Sequence, residues 1–299
     1  MNSKKILILG VTGMLGHTLF MELRKNKNFD VYGTIRSINS PDKWFKPEEI
    51  KKIRPGVDAD NFDTVIRALA SIRPDIVINC IGLIKQLPAA SDPLTVITVN
   101  AQLPHRISLI CRTAGARMIH ISTDCVFDGL KGNYKETDSS NASDLYGRTK
   151  FLGEVTYPHC ITLRTSIIGH ELKGKYGLIE WFLSQEGAVK GFIKAIYSGF
   201  PTIEIARIIS EYVIPNTELN GLYHVSSEPV SKYELLKLIS KKYNKQIEIE
   251  RYDDFFCDRS LNSSKFKEIT GYKPPSWDEL IEKMHKHFIS SSFYIKNER

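Results

Sequence analysis

Short apolar runs alternate with helical patterns through the first half of the chain. Apolar residues recur every three or four positions over residues 15–23, 61–71 and 104–114, the spacing of amphipathic helices. The apolar runs between these helices have the length of buried strands and occupy residues 6–9, 31–33, 76–79, 118–122 and 161–163. Such alternation is typical of a parallel sheet covered by crossover helices. We therefore predict a doubly wound α/β fold for this half.

The hydrophobic pattern loosens after about residue 167, where six glycines lie between positions 169 and 199. One short helix is predicted near residues 180–184, and helical periodicity returns over 203–214, 233–243 and 278–288. The sequence therefore predicts a second, smaller C-terminal lobe. We place the first domain at residues 1–166, rejoined by about 192–225, and the lobe at 167–191 and 226–299.

Composition and charge exclude several classes of protein. The 299 residues are 42% hydrophobic and 25% charged, as in ordinary globular domains, and the apolar runs are far shorter than the ~20 residues of a membrane helix. The net charge of +7 is dispersed, so we expect neither a nucleic-acid nor a membrane partner. Five cysteines without a Cys-x-x-Cys pair and a start without a signal segment favour the reducing cytoplasm.

A glycine-rich turn joins the first predicted strand to the first predicted helix. Glycines in this context allow a tight turn, close approach of a pyrophosphate to the backbone, and close packing of the helix on the strand. The spacing differs from the common Gly-x-Gly-x2-Gly pattern, yet its place between strand and helix predicts a nucleotide cofactor. The residues that we expect to contact it are Gly10, Thr12, Gly13, Met14, Leu15 and Gly16.

Three further segments at predicted strand ends are candidates for cofactor contacts. Arg36 follows the second strand, where NAD-binding units usually place an acidic residue, and its guanidinium suits a 2′-phosphate. Asp58, beside Ala59, is placed either to bind the adenine amino group or to cap the next helix. The backbone of Cys80, Ile81 and Gly82 is expected to pass beneath the cofactor.

Tyr146 and Lys150 form the most informative pair. Being four residues apart, they share one face of a helix, and the lysine cation favours the phenolate form of the tyrosine. Thr123, at the end of the fifth predicted strand, can hold a substrate oxygen beside them. A Tyr-x3-Lys pair alone means little, but 23 residues after a strand that ends in Ser-Thr, it predicts a site of proton transfer.

Together the glycine turn, residues 79–82, Ser122-Thr123-Asp124 and Tyr146-x3-Lys150 resemble the extended short-chain dehydrogenases/reductases, in particular the dTDP-4-dehydrorhamnose reductase-like family. The resemblance spans nearly the whole chain. It implies a Rossmann-type fold, NADPH as cofactor with NADH as the alternative, and reduction of a nucleotide-linked 4-keto-6-deoxy sugar for polysaccharide biosynthesis. It further implies that Tyr146 donates the proton, Lys150 orients the nicotinamide ribose, and Thr123 steadies the substrate.

Two departures from that family keep other functions open. Cys125 stands where the family usually has tyrosine, and residues 82–86, with Lys85, look more like the loop of related epimerases and dehydratases. One alternative is therefore a nucleotide-sugar 4-epimerase or dehydratase that holds its cofactor tightly. The other is a non-catalytic nucleotide-binding regulatory subunit, like that of methionine adenosyltransferase.

The remaining candidates concern the substrate and metals. We expect cationic side chains, one carboxylate and one aromatic ring to bind the nucleotide sugar. The residues are Lys85, Asp124, Arg164, Trp181 and Arg259. No metal site is predicted, because His170 and His224 have no partner at ligand spacing. We expect Cys125 to be a small buried hydrophobe rather than a nucleophile. A homodimer is compatible with the sequence.

Overall fold

The computed structural model describes residues 3–37 and 41–291, and these form two compact units. The first unit comprises the chain up to Ser122 together with Asp144–Leu163 and Ala206–Leu222. The second comprises Thr123–Ser143, Arg164–Ile205 and the chain from Tyr223 onward. These ranges differ from the predicted division mainly at 123–143 and 192–205. The assignment of one domain to cofactor and one lobe to substrate stays a prediction.

A seven-stranded sheet supplies the framework of the first unit. Its strands are β1 (Lys4–Leu9), β2 (Phe29–Thr34), β3 (Ile53–Arg54), β4 (Ile76–Asn79), β5 (Arg117–Thr123), β6 (Cys160–Thr165) and β10 (Gly221–His224). They lie in the order β10-β6-β5-β4-β1-β2-β3, and β1 pairs in parallel with both β2 and β4. Parallel pairing continues from β2 to β3 and from β4 to β5. The predicted doubly wound α/β fold is confirmed.

Helices cover this sheet. They are α1 (Met14–Leu23), α2 (Pro47–Ile50), α3 (Phe62–Ile72), α4 (Pro93–Val96), α5 (Leu103–Ala114) and α6 (Leu145–Leu152), with a π-helical segment at Ile97–Gln102 and 3₁₀ turns at Pro41–Lys43 and Pro88–Ser91. The apolar faces of α3 and α5 bury Val65, Leu69 and Ile107 in one core cluster with Leu7 and Val77 of the sheet. Gly115 ends α5 in the left-handed conformation, with φ of 68°, as predicted for a helix stop.

The second unit has smaller sheets and its own core. Its elements are β7 (Ile167–Ile168), α7 (Leu178–Leu183), β8 (Ala188–Tyr197), β9 (Phe200–Pro201), α8 (Thr202–Ile208), β11 (Val230–Ser231), α9 (Lys232–Lys242), β12 (Glu248–Asp258), α10 (Ser264–Thr270) and α11 (Trp277–Ser290), with a 3₁₀ turn at Asp124–Val126. The last residues of α8, from Ala206 on, belong to the first unit, and the helix continues there as a π-helical segment, Ile209–Val213. β8 pairs with β11 on one side and β12 on the other. Phe182, Leu235, Ile239 and Ile281 belong to one buried cluster of this unit.

All five predicted strands are present, as β1, β2, β4, β5 and β6, but the pattern missed the other strands, of which β8 and β12 are the longest. β12 is mostly exposed and carries charged residues at many positions, so its alternation of apolar and polar residues is weak. The predicted helix over 203–214 is a short α-helix that continues as a π-helix, a change of hydrogen-bond register that periodicity cannot reveal. Within the described ranges, no helix is both long and apolar enough to cross a bilayer.

The contact between α1 and the turn before it limits what residue 16 can be. A Cβ added at Gly16 would lie 2.1 Å from the carbonyl oxygen of Gly10, whereas one added at Gly13 would lie 3.5 Å from the same atom. We expect Gly16→Ala to lower the free energy of unfolding by about 2 kcal/mol or more, because backbone must move to admit the methyl group.

The matched control is Gly13→Ala, which adds the same methyl group at the N-cap of α1 and should cost within about 1 kcal/mol. Urea denaturation of the two variants beside the wild type measures both values. Equal destabilisation by the two substitutions would contradict the close approach of α1 to the turn.

Candidate functional site

The glycine turn has the geometry of an anion cradle. Gly10 has φ of 87°, which favours glycine, and α1 begins at Met14 with Gly13 as its N-cap. The first N–H groups of a helix have no partner within the helix and point toward its N-terminal end, where they favour negative charge. Gly16 lets α1 pack closely on the Gly10 backbone, whereas a Cβ added at Gly13 would come no nearer than 3.5 Å to the Gly10 carbonyl oxygen, so a phosphate group can approach the backbone at Gly13. The turn therefore fits a nucleotide pyrophosphate.

Arg36 and Asp58 lie beyond the ends of β2 and β3. Arg36 is exposed, as a contact to a ligand phosphate requires. The Asp58 carboxylate accepts the N–H of Asp60 at 3.2 Å, and its own N–H donates to Thr64 Oγ1 at 2.8 Å. Asn61 is the N-cap of α3 and makes no side-chain capping bond, so the capping alternative for Asp58 is wrong. Its contact to adenine, like those of Arg36 and the neighbouring Ala59, stays a prediction.

Two asparagines shape the backbone after β4, at residues 80–83. Asn79 accepts the N–H of Ile81 at 3.1 Å. Asn100, in the π-helical segment, accepts the N–H of Leu83 at 2.8 Å and donates to the Leu83 carbonyl at 2.9 Å. These bonds hold the segment in place without using side chains of the segment itself. Burial raises the pKa of the Cys80 thiol to about 12, so this thiol stays protonated at neutral pH.

Lys150 lies buried at the sheet edge, 7% exposed. Its ammonium group donates to the Ile121 carbonyl of β5 at 2.8 Å. Burial lowers the Lys150 pKa to about 8, while the charge of Glu154 acts in the opposite direction. Tyr146 is half-buried one turn earlier on α6. A cation and a phenol therefore share one helix face at the carboxyl end of β5.

Asp144 and Glu154 support this helix, and neither was among the predicted site residues. Asp144 caps α6 by accepting the N–H of Gly147 at 2.9 Å and also pairs with Lys85 Nζ at 2.8 Å. Lys85 Nζ is 5.6 Å from the ring centroid of Tyr146. Glu154 accepts a hydrogen bond of 2.6 Å from Ser122 Oγ. A capping residue before a helix start could have revealed Asp144, and the four-residue spacing from Lys150 could have suggested Glu154.

The second unit contains Thr123, Asp124 and Arg259. Thr123 Oγ1 accepts the N–H of Cys125 and donates to Asp124 Oδ1, both at 3.1 Å. Burial raises the pKa of Asp124, against the opposing charge of Arg259. Arg259 Nε donates to the Phe127 carbonyl at 2.8 Å, and Nη1 lies 3.7 Å from Cys125 Sγ. Cys125 is only half-buried beside this guanidinium, so the prediction of a small buried hydrophobe is wrong as to its burial.

Arg164 and Trp181 have different exposures. Arg164 is 2% exposed, its Nη1 lies 3.2 Å from His224 Nε2, and its guanidinium lies 5.2 Å from the ring centroid of Phe127. These contacts give Arg164 a structural role in the second unit, and its contact with substrate stays a prediction. Trp181 is 37% exposed on α7, which suits the predicted platform, whereas the adjacent Phe182 is core.

Histidines of the second unit have protein partners. His170 Nδ1 lies 2.6 Å from Glu180 Oε1 and its Nε2 lies 2.8 Å from Tyr243 Oη, while His224 Nδ1 lies 3.0 Å from the Tyr134 carbonyl. Among residues 3–37 and 41–291, no group of three or more His, Cys, Asp or Glu side chains could hold a metal ion.

Sequence and structure comparisons define the family of the chain. The model of the RmlD substrate binding domain matches residues 4–290. The chain belongs to this family. The resemblance to extended short-chain dehydrogenases/reductases of the dTDP-4-dehydrorhamnose reductase type is thereby confirmed.

Relatives of this chain include a reductase and a protein named as a subunit of another enzyme. The dTDP-4-dehydrorhamnose reductase of Aggregatibacter actinomycetemcomitans is 24% identical over 308 residues, covering 95% of this chain and 99% of that one. Methionine adenosyltransferase 2 subunit beta of Danio rerio is 28% identical over 254 residues, which cover 81% of this chain and 74% of that protein. The crystal structure of Bacillus anthracis dTDP-4-dehydrorhamnose reductase in complex with NADP has a TM-score of 0.75 at 21% identity. The match covers 95% of this chain and 99% of that one, so the two proteins share the fold.

The buried ammonium group of Lys150 makes a prediction about stability. Its pKa of about 8 in the folded protein lies below the ~10.4 of an unfolded chain, so between these values the unfolded state binds more protons. Stability therefore rises with pH in this window. Between pH 7 and pH 9, we expect the free energy of unfolding of the wild type to rise by roughly 1 kcal/mol more than that of Lys150→Met.

Lys51→Met is the matched control, since Lys51 is exposed in the same unit. Urea denaturation of all three proteins at both pH values separates the contribution of Lys150 from that of other titrating groups. If the difference between wild type and Lys150→Met did not change with pH, Lys150 would not be buried in its charged form.

Proposed function

We propose that this protein is an NADPH-dependent reductase of a nucleotide-linked 4-keto-6-deoxy sugar. The observation that carries the proposal is the buried ammonium group of Lys150, one helical turn from Tyr146 and hydrogen-bonded to the Ile121 carbonyl. A buried cation costs stability, so its retention beside a phenol favours a chemical role. The reductase relative that aligns over 95% of this chain supports the choice of reaction.

The residues of the first unit fit a nicotinamide cofactor. The turn of Gly10, Gly13 and Gly16 would hold the pyrophosphate, since Gly16 packs α1 on the turn and the backbone at Gly13 is left open to a ligand. Arg36 would pair with the 2′-phosphate, and the backbone of residues 80–82 would lie beneath the cofactor. Bound NADPH supplies the hydride that reduces the carbonyl carbon.

Tyr146 completes the reduction in this proposal. Its hydroxyl group donates a proton to the carbonyl oxygen, so that the ketone gains one hydride and one proton and becomes an alcohol. Lys150 stabilises the resulting phenolate by its charge and orients the ribose of the cofactor. The hydrogen bond from Lys150 to Ile121 fixes the ammonium group for both tasks. Thr123 is proposed to steady the substrate oxygen.

The remainder of the nucleotide sugar would supply binding energy rather than chemistry. Lys85 and Arg259 are proposed to face the diphosphate, Trp181 to lie against a ring, and Asp124 to accept a sugar hydroxyl. Such contacts, remote from the ketone, position the reacting carbon. A cytoplasmic location, where nucleotide sugars and NADPH meet, belongs to the same proposal.

A regulatory subunit is the second candidate function. The 28% identity to methionine adenosyltransferase 2 subunit beta supports it, because that protein is named as a subunit of another enzyme. A protein of this kind would need the nucleotide cradle but no proton donor. Tyr146 and Lys150, with the supporting Glu154 and Asp144, favour the reductase.

Consumption of NADPH tests the proposal directly. With a panel of 4-keto-6-deoxy sugar nucleotides, we expect stoichiometric oxidation of added NADPH, followed at the absorbance of the reduced nicotinamide. Tyr146→Phe keeps the ring but removes the proton donor, so turnover should fall by about 100-fold or more with cofactor affinity nearly intact.

Three results would contradict this proposal. Interconversion of sugars without net NADPH consumption would indicate an epimerase or dehydratase. Cofactor binding without turnover of any sugar in the panel would favour the regulatory subunit. A Tyr146→Phe variant with more than half of the wild-type rate, where chemistry limits turnover, would remove Tyr146 from the mechanism.

Arg36 is expected to determine the choice of cofactor. A guanidinium bond to a phosphate is charge-assisted and worth roughly 1.5–3 kcal/mol, so Arg36→Ala should weaken NADPH binding by about one to two decades. NADH lacks the 2′-phosphate and serves as the internal control, with almost unchanged affinity. Fluorescence titration of both cofactors measures the change, and an equal loss for the two would refute this role.

A further inference from the structure

The first unit has a basic pocket at the opposite end of β5 from Thr123. The cavity has a volume of about 310 Å³, and its lining includes Arg112, Arg117, His159 and Thr217. No carboxylate is among the described residues that line it. Because β5 begins at Arg117, this pocket lies at the amino end of that strand, away from the carboxyl end where Lys150 meets Ile121.

Arg117 contributes a partly buried positive charge to this pocket. Its Nη1 donates to the Val213 carbonyl and its Nη2 to the Leu219 carbonyl, both at 2.7 Å. Burial lowers the pKa of Arg117, and no carboxylate pairs with it in the part of the chain that the structure describes. Carbonyl groups satisfy the N–H donors of a guanidinium but do not neutralise its charge. Arg117 therefore adds a positive charge to the pocket lining.

Arg112 adds a second guanidinium from the last turn of α5. Backbone carbonyls at the end of α5 already accept other donors: the Cys111 carbonyl accepts the N–H of Ala116, and the Arg112 carbonyl accepts the N–H of Gly115. Arg112 is exposed, and among residues 3–37 and 41–291 it has no ion-pair partner. Its charge is thus available to a ligand rather than committed to the fold.

His159 and Thr217 complete the polar lining. His159 Nε2 lies 2.9 Å from the Ser108 carbonyl, which fixes the imidazole ring beside the pocket. The exposed Thr217 hydroxyl can donate to a ligand, and its present partner, Glu218 Oε1, is at a weak distance of 3.5 Å. Guanidinium groups and a hydroxyl are donors that match phosphate oxygens.

We propose that this pocket binds the phosphate group of a small phosphorylated metabolite, at a site separate from the one assigned to cofactor and sugar nucleotide. A cavity of about 310 Å³ is at the lower end of the range for small-molecule sites, so it has room for an organic group beside the phosphate. The proposal rests on residues of the first unit alone and does not depend on the proposed reductase activity.

Calorimetric titration of the full-length chain tests this site, with inorganic phosphate and glucose 6-phosphate as the probes. We expect Arg112→Gln to weaken binding of glucose 6-phosphate by about tenfold or more, because one charge-assisted contact is lost. Arg112 is exposed, so this variant should fold, whereas Arg117 bonds to two carbonyls and is unsuitable. The matched control is Arg67→Gln, an exposed arginine on α3, which should bind as the wild type does.

The outcomes separate the sources of the phosphate. Tighter binding of glucose 6-phosphate than of inorganic phosphate, sensitive to Arg112, supports a site for a phosphorylated metabolite. Equal binding of both probes, with the same sensitivity, supports the phosphate site with free phosphate as its ligand. Identical affinities of wild type, Arg112→Gln and Arg67→Gln, or no binding at millimolar concentration, would overturn the proposal.

Discussion

A buried ammonium group needs compensation for its lost hydration, and in the first unit Ile121 and Glu154 supply it for Lys150. The Ile121 carbonyl accepts its hydrogen bond, and the charge of Glu154 favours the protonated form. Glu154 in turn holds Ser122 next to the end of β5. The cation one helical turn from Tyr146 is therefore tied to the strand through both backbone and side chains.

Both ends of α6 are fixed as well. At its start Asp144 caps the helix and pairs with Lys85, and at its end Gly153 lies against the π-helical segment. A Cβ at Gly153 would come within 2.0 Å of the Asn100 carbonyl oxygen. Asn100 also holds the backbone of Leu83 through two hydrogen bonds. One π-helical segment thus positions both the helix of Tyr146 and the loop that follows β4, consistent with the use of π-helices at functional sites.

Local sequence patterns predicted the strands, helix ends and turns that depend on residues close together along the chain. The apolar strand at 76–79, the helix stop at Gly115 and the glycine turn at 10–16 each follow from periodicity or backbone conformation, and the structure has all three. The bonds from Asn100 to Leu83 and from Glu154 to Ser122 join positions 17 and 32 residues apart, so spacing along the chain gives no signal of them. Residue type alone also does not reveal that the guanidinium of Arg164 is buried, since most arginines are exposed.

Transfer of deuterium tests the central claim of this account, that Lys150 and Tyr146 serve the reduction of a ketone. The protein is incubated with NADPH that carries deuterium at both positions on C4 of the nicotinamide and with a 4-keto-6-deoxy sugar nucleotide, and the product is examined by mass spectrometry and NMR. The account predicts a product one mass unit heavier, with deuterium on the new carbinol carbon and none on its hydroxyl group. A product without deuterium at that carbon, or no product from any 4-keto substrate, would contradict it.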